Sequence, residues 1–277
     1  MDALFAGYDS QVDRHGLAST RQVVIHPTAQ VAKGAELGTG CVIGPGALVG
    51  PKVVLGDRVK IGAGAILEGR TKVGDETTIF PYASVGSVPQ DLKYRGEDTE
   101  LLIGKRNRIR EYVNISLGTE GGGGKTVIGD DNLIMVYTHI GHDCIIQSHC
   151  IFANGAQIAG HVEVGNYAVF GGLSGAHQFS RYGDMVMVAA GSMCSQDVPP
   201  FCMVHGDHAS INGLNVVGLR RSGLKNISDI KAMYRIVYSE NLGLDAAVEK
   251  ILNEVPESAE RLSFTAFLKA SARGICR

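Results

Sequence analysis

From Ile25 onward every sixth residue is aliphatic: Ile25, Val31, Leu37, Ile43, Val49, Leu55, Ile61, Leu67, Val73, Ile79 and Val85. An α-helix cannot keep a six-residue period on one face, so this stretch is not an amphipathic helical array. The residue after each aliphatic is usually glycine (Gly38, Gly44, Gly50, Gly56, Gly62, Gly74, Gly86), and the fourth is small or β-branched, as at Ala29, Cys41, Val53 and Thr77. One large and one small inward residue per hexad is the pattern of a parallel β-helix, in which each hexad is a short strand plus a turn. Three such units complete one coil of a triangular prism, about 18 residues long.

Two interruptions punctuate the series. The phase reaches Ile103, Ile109 and Ile115, but Asp91 and Glu97 fall where aliphatics belong, which predicts a loop thrown out over Ser87 to Glu100. A second break, from Glu120 to Lys125 with four consecutive glycines, shifts the phase by one residue, and the pattern resumes at Ile128. It then runs through Ile134, Ile140, Ile146, Phe152, Ile158, Val164, Phe170, Ala176, Tyr182 and Val188 to Cys194. About ten coils fit between residues 25 and 200. The expected organisation is an N-terminal extension over 1–24, a hexapeptide-repeat β-helix over 25–200, and a connector with a helical domain over 201–277. Beyond Pro199-Pro200 the hexad is lost, and Ser222 to Arg277, with runs such as I-S-D-I-K-A-M-Y-R-I-V-Y, has the three- and four-residue apolar spacing of helices.

Composition narrows the function. Glycine supplies 37 of 277 residues, about twice its average share of ~7%, which suggests repeated tight turns. The balance of 26 Lys+Arg against 28 Asp+Glu leaves a net charge of −2 and no concentrated basic surface for nucleic acid. No apolar stretch approaches the ~18 residues of a membrane span, and the start M-D-A-L-F-A-G-Y-D-S lacks the features of a signal peptide. A cytoplasmic protein is expected. The six cysteines form no C-x-x-C pair, and Cys41, Cys144, Cys150 and Cys194 fall at inward positions, so packing accounts for them.

Residues one coil apart lie above one another, about 4.8 Å apart. His142, Gly160 and Gln178 therefore form one column, flanked by Asp143, His161 and Phe179 on one side and by Gly141, Ala159 and His177 on the other, with His139 three residues before His142. Single histidines on an exposed turn are ordinary solvated residues; four within three coils point to a site. A metal centre is one reading, since imidazoles are common ligands, but the H-x-x-x-x-H pair of hexapeptide-fold carbonic anhydrases is absent and no metal is expected. Acyl transfer is the other: a hydroxyl attacking a thioester needs a base near neutral pKa and a donor for the developing oxyanion. His142 fits the first role, and Gly160, without a Cβ to obstruct approach, can offer a backbone N–H for the second. Asp143 reads either as an ordinary turn residue or as the group that fixes the His142 tautomer.

The segments H-I-G-H-D-C (139–144), I-A-G-H-V (158–162), A-H-Q-F (176–179), Q-D-V-P-P (196–200), P-Q-D-L-K-Y (89–94) and I-G-K-R-N-R-I-R-E (103–111) resemble the UDP-N-acetylglucosamine O-acyltransferase family, which opens lipid A synthesis. The similarity runs from about residue 23 to the terminal R-G-I-C-R. It implies a left-handed β-helix and a homotrimer that moves an R-3-hydroxyacyl group from acyl carrier protein to the glucosamine 3-hydroxyl of UDP-N-acetylglucosamine. The acyl group would arrive as a phosphopantetheine thioester, with no further cofactor. The resemblance implies His142 as general base and Gly160 as oxyanion donor, with Asp91, Lys93, His139, His161, His177 and Gln178 lining the acceptor and acyl-chain site. Asn215 and Arg221 match nucleotide-contacting positions, and Ala190 matches the position that sets acyl-chain length. Val217 stands where the family usually has Glu, and Ser116 where I-H-R-G-T has His.

A trimer also follows from shape. The corner of a β-helix is convex, whereas small-molecule sites are concave, so a second subunit is the simplest way to enclose the histidines. The basic residues Arg220, Arg221 and Lys225 are placed to meet UDP phosphates or the acidic carrier, or are a solvated helix face. The alternatives are an acyltransferase using a 3-amino UDP-sugar or another amine, a hexapeptide-fold metalloenzyme, and a non-catalytic β-helix scaffold. The last is disfavoured by the lack of regular Thr or Asn ladders on an outer face.

Overall fold

A computed structural model describes residues 22–277. Residues 1–21, which hold most of the expected N-terminal extension, lie outside the described residues, and Val24 already belongs to the first strand, Val24–Ile25. From there the chain winds through three parallel sheets in strict rotation, first, second, third, then first again. Partners within a sheet are successive coils, as in Val24 opposite Val42 and Ile43 opposite Ile61. Most strands are two residues long, one facing out and one buried.

The hexad positions explain this packing. Each large aliphatic of the series from Ile43 to Ile79 is at most 3% exposed, and the small residues between them, Cys41, Ala47, Val53, Val59 and Ala65, are fully buried. Alternation of large and small lets side chains from three sheets fill one narrow prism without voids. Farther along, the bulk moves to stacked aromatics, with Phe152 and Phe170 rings 5.1 Å apart and Tyr182 edge-on to Phe170. Burial pushes the thiols of Cys144, Cys150 and Cys194 up to about 12, as inert packing residues require.

The two sequence breaks are excursions that leave the ladder intact. Across the first, Arg70 pairs with Glu100, and across the second, Glu100 pairs with Lys125 and Asn114 with His139, so the coil resumes in register after each insertion. The second insertion contains a short 3-10 turn, Glu120–Gly122.

Glycine takes the left-handed turn position expected of it at Gly34, Gly40, Gly46, Gly64, Gly155 and Gly191, but it shares that role. The left-handed position of many corners is taken by non-glycine residues, among them Tyr82, Tyr112, Tyr137, Asp143, His161 and Phe179. Stacking between coils offsets that strain, as in the Tyr82–Tyr112–Tyr137 column with centroids 5.4 and 5.1 Å apart. Many of the glycines that follow the aliphatics are needed because coils press together: a Cβ at Gly74 would lie 2.6 Å from the Gly104 carbonyl carbon.

The β-helix also outlasts its repeat. Cys202–His205 adds a further parallel strand to the first sheet, with Val204 opposite Val188 and fully buried, and Ser210–Leu214 turns back antiparallel. Val204 is missed by a six-residue count because Pro199-Pro200 shortens the last coil. Helices then follow: α1 Val216–Arg221, α2 Ile227–Ser239, α3 Leu244–Glu254 and α4 Ala259–Lys269. Helical structure thus begins six residues before Ser222. A second core, with Ile230, Met233, Ile251 and Phe264 fully buried, unites the helices. The C-terminus returns to the prism, where Ile275 bridges to Asp197 and Cys276 N–H donates to the Asp197 carbonyl at 2.8 Å. Among the described residues no helix is long and apolar enough to cross a membrane.

Candidate active site

The corner between the second and third sheets gathers the histidines. Each coil turns there through four residues: Gly141 to Cys144, Ala159 to Val162, and His177 to Ser180. The third residue of each turn is left-handed, with φ of 60° at Asp143, 62° at His161 and 64° at Phe179. Phe179 in this conformation is half exposed, whereas Asp143 is covered by Thr119 and Gly122 and its side chain is 0% exposed. Asp143 is in hydrogen-bond contact with the His142 ring. His142 Nδ1 lies 2.7 Å from Asp143 Oδ2, and since a carboxylate accepts, the proton sits on Nδ1 and Nε2 is free to act as a base.

His142 lies directly against Gly160. A Cβ on Gly160 would stand 2.6 Å from both Cε1 and Nε2 of the ring, so only glycine leaves room for it. On either side, Ala159 N–H donates to the Ala176 carbonyl at 3.1 Å and His161 N–H to the His142 carbonyl at 2.9 Å. Gly160 N–H meets no acceptor among the described residues. Gly141 keeps the space beside it open, because a Cβ there would come within 2.8 Å of the Gly160 nitrogen. A base and an unpaired backbone donor therefore share one wall of a groove of about 630 Å³.

The groove runs along the outer face of the second sheet. His139, His142, Gly160, His177 and Gln178 all line it. His139 Nδ1 is 2.8 Å from Asn114 Oδ1, and Asn114 Nδ2 donates to Ser87 Oγ at 2.9 Å, a polar chain crossing three coils. Burial pushes the His139 imidazole below its ordinary value, with the His142 ring adding to the effect. His177 Nδ1 lies 3.0 Å from the Gln178 carbonyl and 3.5 Å from Arg273 Nη2. His161 sits just behind, stacked on Phe179 at 4.2 Å and edge-on to His142 at 4.9 Å. Burial lowers its pKa against the raising pull of Asp143, 3.8 Å away. Asp91 and Lys93 sit in the extruded loop, where Lys93 N–H donates to Asp91 Oδ1 at 2.9 Å and both charges bear on His161.

Three expected residues lie elsewhere. Asn215 caps α1, its Oδ1 accepting from Gly218 N–H at 3.0 Å and its Nδ2 donating to the Met185 carbonyl at 2.9 Å. Arg221 is exposed in the last turn of α1. Ala190 is exposed on the corner between the first and second sheets, across the second sheet from His142.

Several residues not singled out from the sequence also shape the site. Thr119 gives both its N–H and its hydroxyl to Asp143, each at 2.7 Å, and Asp143 N–H donates to Thr126 Oγ1 at 2.8 Å. Gln90, Gln157 and Met193 line the groove, joined by Ser116, which the sequence did single out and whose buried hydroxyl has no partner among the described residues. Thr126 occupies an inward slot and reads in the sequence as core filler. Thr119 becomes visible only if the glycine-rich insertion is allowed for, since it stands 24 residues before Asp143.

His142, Asp143 and His161 bring three ligand atoms within 4.8 Å of one another, the one set of metal-ligand type among the described residues. The Asp143 carboxylate, however, already accepts from Thr119 N–H, Thr119 Oγ and His142 Nδ1. Three of its roughly four lone-pair sites are thus engaged, two by Thr119 and one by the His142 ring, which disfavours metal ligation.

Residues 197–276 match the family profile described as UDP N-acetylglucosamine O-acyltransferase, domain 2, and residues 125–160 match the bacterial transferase hexapeptide profile of six repeats. The acyl-[acyl-carrier-protein]–UDP-N-acetylglucosamine O-acyltransferase of Verminephrobacter eiseniae is 48% identical over 260 residues, covering 91% of this chain and 99% of the relative. That of an Anaeromyxobacter species is 49% identical over 257 residues, covering 92% and 100%. Among solved structures, the UDP-N-acetylglucosamine acyltransferase of Bacteroides fragilis superposes with a TM-score of 0.89 at 38% identity, covering 92% of this chain and 100% of that one. The Campylobacter jejuni enzyme gives 0.87 at 38% identity, covering 92% and 99%.

Proposed function

Since the chain belongs to the UDP-N-acetylglucosamine O-acyltransferase family, we infer that the groove at the second corner is where it carries out acyl transfer from acyl carrier protein to UDP-N-acetylglucosamine, the opening reaction of lipid A biosynthesis. The observation that carries the assignment is the juxtaposition of His142, oriented by Asp143 through Nδ1, with the unpaired N–H of Gly160.

The chemistry follows. His142 Nε2 takes the proton from the glucosamine 3-hydroxyl as that oxygen attacks the thioester carbonyl of an R-3-hydroxyacyl group on the carrier's phosphopantetheine arm. The carbonyl oxygen becomes an oxyanion and receives the Gly160 N–H. Collapse breaks the C–S bond, and the departing thiolate takes the proton back from the His142 imidazolium. His139, His161, His177 and Gln178 present polar edges to the sugar and to the acyl 3-hydroxyl, and Asp91 and Lys93 reach toward the same corner from their loop.

The groove is open on one side, and a homotrimer would close it. Leu92, 95% exposed at the tip of the extruded loop, and Ala190 on the neighbouring corner would then meet the adjacent subunit, with Ala190 bounding the acyl channel and Arg221 facing the nucleotide. A cytoplasmic enzyme drawing on soluble carrier protein fits this reading.

The test is direct. The protein is incubated with UDP-N-acetylglucosamine, or with its 3-amino analogue, and with 3-hydroxyacyl carrier proteins of several lengths, and products are identified by mass. An ester product from the first acceptor is expected; transfer to the amine alone would shift the acceptor assignment. Ala190→Met should shorten the preferred chain, and an unchanged length profile removes Ala190 from that role.

A further inference from the structure

The glycine-rich interruption of the repeat sits on the far side of Asp143 from His142. Thr119, at its start, is 6% exposed and aims two donors at one buried carboxylate: its N–H to Oδ1 and its hydroxyl to Oδ2, the oxygen that also takes His142 Nδ1–H. Gly122, in the 3-10 turn that follows, packs so closely that any Cβ would overlap the Asp143 carboxyl group. The segment holds its own shape, with Gly124 N–H returning to the Thr119 carbonyl at 2.8 Å and Gly123 and Gly124 in the left-handed region at φ 95° and 81°. It is anchored to the preceding coil through Gly118 N–H to the Glu100 carbonyl at 3.1 Å and Glu100 N–H to the Gly124 carbonyl at 2.9 Å. The ladder resumes in register beyond it, so the prism does not require these residues.

We propose that this insertion is a positioning clamp for the transfer reaction, in which Thr119 fixes the Asp143 carboxylate so that Asp143 can hold the His142 ring with Nε2 turned to the acceptor hydroxyl. Thr119 touches no reacting atom and acts through Asp143. A carboxylate held by His142 alone is free to rotate about its terminal torsion, whereas two donors from one residue lock its plane. Gly122 supplies the room for that plane. The clamp rests on His142 being the base.

The experiment compares Thr119→Val, which keeps shape and the backbone N–H but deletes the hydroxyl, with Thr119→Ser, which restores it, in the full-length enzyme. His142→Ala serves as the reference. Loss of a charge-assisted hydrogen bond should lower kcat of Thr119→Val roughly 10- to 100-fold. The KM for UDP-N-acetylglucosamine should stay within about twofold, and Thr119→Ser should recover most of kcat. Gly122→Ala, by displacing the carboxylate, should reproduce the kcat loss. Wild-type kcat in Thr119→Val, or equal losses in the Val and Ser variants accompanied by equal falls in melting temperature, overturns the clamp. Should His142→Ala itself keep near-normal turnover, the base assignment falls, whatever Thr119 does.

Discussion

Two corners of the prism are built on the same four-residue turn and treat one backbone group in opposite ways. At the corner between the third and first sheets, the N–H of the second turn residue is met by a side chain from the next coil. Thr39 donates to Asp57, Asp57 to Asp75, Lys105 to Asp130, Asp130 to Ser148, Ser148 to Asn166 and Asn166 to Asp184, all between 2.8 and 3.2 Å. At the corner between the second and third sheets the equivalent residues are His142, Gly160 and Gln178, and this ladder is missing. The remaining backbone bonds correspond: His149 N–H to the Asp130 carbonyl in one, His161 N–H to the His142 carbonyl in the other, both at 2.9 Å. The N–H left open at Gly160 is thus one that the corner between the third and first sheets satisfies with the same backbone, while at the corner between the first and second sheets the matching N–H groups of Val136, Asn154, Gly172 and Ala190 likewise meet no acceptor among the described residues.

The largest break in this comparison comes from removing the base. His142→Ala should lower kcat by about two to four decades, with UDP-sugar affinity by calorimetry little altered, because the ring orients no other group of the corner. Near-normal turnover would mean that the unpaired N–H works with a different base, His161 being the next candidate. A chelator should leave the wild type unaffected; activity abolished by chelation and restored by zinc would instead assign His142, Asp143 and His161 as ligands.

Converting the second corner into the first is the next test. Gln178 stands where Asn166 and Asp184 stand in the ladder, one methylene too long to copy their bond. Gln178→Asn should place an amide oxygen on Gly160 N–H as Asn166 does on Ser148. Occupying an oxyanion donor should cost kcat about 10²- to 10³-fold while stability holds or rises. Gln178→Ala, which removes the side chain without filling the site, should affect chiefly KM. Equal kcat in the two variants would remove Gly160 from the oxyanion role.

The contrast also marks what was legible beforehand. The hexad fixed the three-sided coil, and column counting brought His142, Gly160 and Gln178 together, because parallel register makes vertical neighbours a matter of arithmetic. The same arithmetic hid Thr119, since the insertion sets it 24 residues before Asp143 rather than at the 18-residue interval of Thr39 and Asp57. Asn215 was legible as a special residue, but its structural role was not: its amide caps α1 and donates to the Met185 carbonyl, partners that no column count brings together. The ladder corner escaped notice because its Asp, Asn and Ser residues vary in type and share only an oxygen at one distance. That mixed ladder coexists with the histidine corner on the same prism.

On the ladder side the expected effects are structural. Asn166→Ala leaves Ser148 N–H without its acceptor and removes the Nδ2 bond to Asp184, which should cost about 1 kcal/mol, seen as a few degrees in melting temperature. The turnover of folded enzyme should not change. A loss of kcat in this variant would show that the two corners are mechanically coupled rather than independent.

Acid should separate the corners by window, with the smallest effect near neutrality. His139 and His161 have folded pKa values lowered below 6.5, chiefly by burial. Below about 6.5 the unfolded chain therefore binds more protons than the folded one, so this stability is complete above that pH and is lost as pH falls through the folded values. The ladder corner responds later. Asp75 is lowered from 3.8 by the Lys105 hydrogen bond, and Asp131 by that of Arg106. Their contribution is present above 3.8 and lost only as pH falls through their lower folded values, and both are exposed enough that salt should weaken it. Melting temperature against pH should thus decline in two stages. His139→Gln should flatten the first and spare the second, and Asp131→Asn should do the reverse. A single decline beginning near pH 4, unchanged by His139→Gln, would show that the buried histidines gain their protons without cost to the fold.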